Sequence, residues 1–132
     1  MEVLEVNIVG TFLISKHAIN ILNKESTIIN MASTDGINTY SIYNVDYATS
    51  KAGIIQLTKS MALIFKDIRT IAIAPNWVNT KSTLEMNQEY LNEELKRIGQ
   101  NNLIDKEKVT NIIVDTINDK SIRSGEVIEI YD

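Results

Sequence analysis

The order of segments constrains this chain most. Three short runs of β-branched and aliphatic residues occur: Thr27 to Met31 (TIINM), Arg69 to Ala74 (RTIAIA) and Glu126 to Tyr131 (EVIEIY). Between and before them lie stretches of helical periodicity: Met1 to about Asn23, Asp46 to about Lys66, and Lys106 to Asn118. Near-continuous apolar strands separated by long helices predict an α/β domain with a parallel sheet covered on both faces. Each crossover is expected to be right-handed. Ligands of such sheets lie beyond the carboxyl ends of the strands. Ser33, the segment Pro75 to Thr80, and Tyr131 all fall there.

Local signals fill in the rest. In the first helix Leu4, Ile8, Phe12 and Ser15 form one stripe, and Val6, Val9, Leu13 and Ile14 form others. Apolar residues around so much of the circumference predict burial on more than one side. Ala32 to Asn44 reads as a loop turning at Asp35-Gly36, and Ser124-Gly125 as a second turn. Pro75, the only proline, ends the second strand. Asn76 to Gly99 is polar and charged, and a helix over Glu85 to Arg97 is expected to be weakly packed and mobile. No internal repeat, linker or low-complexity segment appears.

The chemistry-bearing stretch is Asn44 to Lys59, NVDYATSKAGIIQLTK. Tyr47 and Lys51 are four apart and stack on one helix face. A free phenol titrates near about 10. An ammonium one turn away favours the phenolate and suits the pair to acid–base work. Taken alone, the same spacing also arises as a chance pair on a solvated face. Small neighbours Ala48, Ser50, Ala52 and Gly53 would let another backbone or a ligand approach.

Composition excludes several alternatives. The 132 residues suit one domain, and a 44% hydrophobic fraction is enough for a core. A net charge of −4 offers no basic patch for nucleic acid. The chain has no cysteine, and its single histidine, His17, lacks a metal-binding partner, so no metal site is expected. No apolar stretch approaches membrane-spanning length and no secretory leader is recognisable, so a soluble cytoplasmic protein is expected.

Four motifs in order then resemble the second half of a short-chain dehydrogenase/reductase, among its 3-oxoacyl-carrier-protein-reductase-like members. VNIVGTF (Val6 to Phe12) resembles the family helix bearing an active-site asparagine, and IINMASTDG (Ile28 to Gly36) the strand and loop bearing its serine. YATSK matches the YxxxK helix, IAPNWVNT (Ile73 to Thr80) resembles the strand end and nicotinamide loop, and SGEVIEIYD the closing strand. The resemblance implies a partial Rossmann-like fold, the second half of a doubly wound sheet, with the second strand between the other two.

It also implies roles. Tyr47 would be the general acid/base. Lys51 would lower its pKa and bind the nicotinamide ribose. Ser33 would hold the substrate oxygen, and Asn7 a water linking Lys51 to solvent. Pro75, Val78 and Thr80 would border the nicotinamide of NAD or NADP, and the substrate would be a small carbonyl or alcohol. From the residues alone, Ser33 also reads as a turn-capping hydroxyl and Asn7 as a mid-helix polar residue bonding a carbonyl. Asn76 stands where the family usually has glycine, a mild change because asparagine tolerates left-handed backbone. The family's glycine-rich phosphate turn is not in this sequence: Gly10, Gly36, Gly53, Gly99 and Gly125 are all far apart.

The expectation is therefore a catalytic half of an NAD(P)-dependent oxidoreductase, inactive alone. The alternatives are a non-catalytic remnant that self-associates or binds a partner, and an unrelated α/β binding domain. Self-association is expected through the Met1 to Asn23 and Asp46 to Lys66 helices, whose apolar surface exceeds what three strands can cover.

Overall fold

The computed structural model describes residues 2–132. The first helical rod, α1 (residues 2–18), is followed by β1 (Thr27–Met31) and the long helix α2 (Val45–Ile64). Then come β2 (Arg69–Pro75), α3 (Lys81–Leu84), α4 (Gln88–Ile98), α5 (Lys106–Asn118) and β3 (Val127–Ile130). The three strands form one sheet in the order β1-β2-β3, and both pairings are parallel. The second strand is central, as expected.

The alternation along β2 explains the layers. Ala72 and Ala74 point to one face and pack with Ile54 and Ile55 of α2. Ile71 and Ile73 point to the other and pack with Ile104, Val109 and Ile130. All four β2 side chains are fully buried. Small residues on one face let α2 lie close; large ones on the other fill the gap to α5. Buried Asn30 on β1 donates to Thr58 on α2 at 2.9 Å, so the polar group inside this layer is paired.

The helix ends differ from the sequence reading. Met1, the expected start of α1, lies outside the described residues. α1 stops at Ala18, where Asn20 and Ile21 fold back onto the carbonyls of His17 and Ala18. Its segment Glu5–Gly10 is wound as a π-helix, and Asn7 sits in that widened stretch. Such bulges occur frequently at functional sites. The rod packs on α2 where Gly53 leaves room for Ile8: a Cβ there would come within 2.8 Å of the Ile8 side chain.

The largest correction concerns Asn76 to Gly99. The expected helix over Glu85 to Arg97 begins at Gln88, because Asn87 caps it by accepting from the Tyr90 amide at 3.0 Å, and a separate short helix, α3, precedes it. Nor is it loosely laid. Leu91 and Glu94 are each only 2% exposed. Arg97 holds Glu94 with two bonds, of 3.0 and 2.7 Å, and donates to the Thr39 carbonyl at 2.6 Å. Gly99, at φ 73°, closes the helix in the left-handed conformation. A half-buried charge pair, which composition alone scores as solvent-loving, is what anchors this helix.

Candidate active site

The carboxyl ends of β1 and β2 and the amino end of α2 enclose a cleft of about 500 Å³. Each end is positioned by its own local bonding. Ser33 follows β1 in extended backbone and accepts from the Asp35 amide at 3.2 Å, starting the turn Thr34–Gly36. That turn lies directly on α2: a Cβ on Gly36 would stand 2.5 Å from the Ala52 nitrogen and 2.6 Å from the Lys51 carbonyl carbon. Buried Thr34 donates to the Asn76 side chain, which joins the Ser33 loop to the end of β2. Asn76 is not among the residues with left-handed backbone. Its value over glycine here is the side-chain acceptor, not conformational tolerance.

The segment after Pro75 is braced in turn. The buried Gln100 side chain accepts from the Trp77 amide at 3.0 Å and donates to the Trp77 carbonyl at 2.8 Å. Val78 forms a parallel bridge with Ile104. Thr80 caps α3 by accepting from the Thr83 amide at 3.3 Å. Pro75, Val78 and Thr80 all line the cleft with Ser33 and Tyr47. Asn44, which lines the cleft, donates to Tyr90 at 3.0 Å, and Tyr90 meets Tyr43 edge-on at 5.6 Å.

Tyr47 and Lys51 share a face, as the spacing requires. The Lys51 ammonium is 5.4 Å from the Tyr47 ring centre and donates to the Met31 carbonyl at 2.8 Å. Asn7 reaches the pair through an intermediary that the sequence did not suggest. It donates to the Ser50 hydroxyl at 2.9 Å, and Ser50, fully buried, donates to the Tyr47 carbonyl at 2.7 Å. Thus Ser33 and Tyr47 meet in the cleft, with Lys51 against the Tyr47 ring and Asn7 two hydrogen bonds away through Ser50.

The electrostatics run against the sequence reading. Burial is the largest influence on Tyr47 and raises its pKa; the neighbouring Ser33 hydroxyl lowers it and the Asp35 carboxylate raises it further. Burial also lowers the Lys51 pKa. The ammonium is spent on the Met31 carbonyl instead of the phenol oxygen, so the expected depression of Tyr47 by Lys51 does not hold in this arrangement. We expect the Tyr47 phenol to titrate above the ordinary value of about 10, in an ultraviolet difference titration against Tyr47→Phe. A raised phenol contributes stability that is complete below the unfolded value and lost as pH rises through the folded one. The depressed Lys51 works in the opposite sense over the same alkaline range.

Comparison with known proteins agrees with this architecture. The family model described as enoyl-(acyl carrier protein) reductase matches residues 1–130. A 3-oxoacyl-[acyl-carrier-protein] reductase from Aquifex aeolicus is 31% identical over 134 residues, covering 98% of this chain and 54% of that protein. A short-chain dehydrogenase/reductase from Serratia marcescens superposes with a TM-score of 0.82 at 24% identity, covering 95% of this chain and 52% of that one. A small-chain dehydrogenase in complex with NADPH superposes with a TM-score of 0.81 at 20% identity, covering 95% and 58%. The chain thus spans about half the length of that curated relative, 54%. With nearly every residue matched and the same parallel layers present, the chain belongs to the short-chain dehydrogenase/reductase family.

Proposed function

We propose that this chain carries the proton-transfer side of a cytoplasmic NAD(P)-dependent oxidoreductase that interconverts a carbonyl and an alcohol. The observation that carries the reading is the meeting of Ser33 and Tyr47 in one cleft at the carboxyl ends of the strands, with Lys51 against the Tyr47 ring. Ser33 would hold the substrate oxygen, and Tyr47 would give a proton to it or take one from it. A phenol held neutral by burial suits the reducing direction, where it is the donor. Lys51, Pro75, Val78 and Thr80 fit the nicotinamide end of the cofactor: a cation and donor on one side, a braced backbone segment on the other. The cofactor, NAD or NADP, supplies the hydride. Asn7 would keep Lys51 connected to solvent, acting through the π-wound stretch of α1.

The same residues do not fit the rest of a dinucleotide. No two of the five glycines are close enough to make a phosphate-cradling turn. Ordering a flexible dinucleotide costs several kcal/mol. A few hydrogen bonds of about 0.5–1.5 kcal/mol each barely offset that. We expect these 132 residues to bind NADH and NADPH no better than about millimolar and to show no turnover alone. Fluorescence titration with each cofactor tests this; saturable micromolar binding would refute it.

Self-association is part of the proposal. Val6 and Ile14 of α1 are 65% and 73% exposed, and Leu63 and Ile64 of α2 are 73% and 68% exposed. The outer edge of β1 has no partner strand among the described residues. A two-fold dimer through α1 and α2 would cover the helical surface. Light scattering at micromolar concentration should give twice 14.9 kDa; a monodisperse mass of 14.9 kDa would count against it.

A further inference from the structure

The cleft wall carries charge of one sign. Among the described residues, Asp35 and Asp46 are its only charged side chains, and no lysine, arginine or histidine lines it. The remaining wall is apolar (Val3, Trp77, Val78, Met86, Ile98) or bears neutral polar groups. Neither aspartate is in an ion pair among the described residues. Asp35 accepts from the neutral Thr39 hydroxyl at 2.6 Å, and Asp46 from the Tyr47 amide at 2.9 Å. The nearby cations stand behind the wall: Arg97 pairs with Glu94 at 2.7 Å, and Lys51, which donates to the Met31 carbonyl at 2.8 Å, is not among the lining residues. The Asp35 carboxylate adds to the raised pKa of both Tyr47 and Tyr90, behind the larger influence of burial.

We propose that the cleft takes an uncharged, largely apolar alcohol or ketone and turns away carboxylates and phosphates, with Asp35 as the specificity-determining residue. An anion entering here sheds water, meets two like charges and finds no cation among the lining residues. An uncharged ring or chain buries apolar surface against Trp77, Met86 and Ile98 and leaves its oxygen for Ser33 and Tyr47. This selectivity rests on the reading of the cleft as the substrate site.

The test uses two probes of equal carbon count, cyclohexylmethanol and cyclohexanecarboxylate, on the whole chain at pH 7. Trp77 is the only tryptophan, so its indole N–H resonance reports cleft occupancy without ambiguity. We expect the alcohol to shift that resonance saturably and the carboxylate to bind at least about tenfold more weakly. Asp35→Asn keeps the acceptor for Thr39 and removes the charge, so the gap should shrink several-fold. Raising the salt on the unmodified chain should narrow the gap too, which covers the case of a variant that does not fold. Equal affinities for the two probes, or a gap that neither Asp35→Asn nor salt reduces, would overturn the selectivity alone. No shift from either probe would overturn the cleft reading itself, and the selectivity with it.

Discussion

Tyr47→Phe should reduce carbonyl reduction by about 10²–10⁴-fold, with cofactor affinity nearly intact, once a dinucleotide-binding half is joined to this chain. The ring still fills its place beside Lys51, 5.4 Å from the ammonium, so packing is conserved. What goes is the hydroxyl beside Ser33, the proposed proton donor. Initial rates of cofactor oxidation at saturating ketone would report the loss, and cofactor fluorescence the retained binding. Lys51→Ala should behave differently and damage both, because the ammonium that packs against the Tyr47 ring is also the proposed contact to the ribose. A Tyr47→Phe protein with the parent rate would mean that protons come from elsewhere.

Gly36→Ala should lower stability by about 2–3 kcal/mol, or very roughly 6–10 °C in Tm. The cause is space, not backbone conformation: the added Cβ would meet the Ala52 nitrogen at 2.5 Å and the Lys51 carbonyl carbon at 2.6 Å. Both contacts are main chain and cannot swing aside, so the Thr34–Gly36 turn must lift from α2. Ser33 would move with it, away from Tyr47. Gly10→Ala is the control, because its nearest neighbour, the Glu5 carbonyl oxygen, is 3.8 Å away. Thermal denaturation of both variants separates the two cases; equal melting points would show that the turn is not seated as described.

The fold was legible because its signals are local. Alternation within RTIAIA sends Ala72 and Ala74 to one face and Ile71 and Ile73 to the other, and β-branched runs between helices allow few sheets other than a parallel one. Helix ends were less legible, since Ala18 and Asn87 are set by turns and caps that apolar periodicity does not register. Within the site, Tyr47 and Lys51 stand out because their spacing is itself the signal. Their supports do not. Asn7 and Ser50 are 43 residues apart, Thr34 and Asn76 are 42 apart, and Trp77 and Gln100 are 23 apart. No local pattern joins such pairs; only the packed sheet brings them together. The direction of the Tyr47 shift was misread for a related reason. Sequence displays the lysine one turn away but not the burial that outweighs it.

Deuteride transfer tests hydride chemistry at this site most directly. The chain would be joined to the part of the Aquifex aeolicus reductase that lies outside the matched 54%. It would then be given NADPH carrying deuterium at both C4 positions of the nicotinamide, and a simple uncharged ketone. Deuterium should appear on the carbinol carbon, one per cofactor oxidised, and the transfer should be lost in Tyr47→Phe. A joined protein that binds NADPH and ketone yet moves no label, or moves it equally well in Tyr47→Phe, would contradict the assignment.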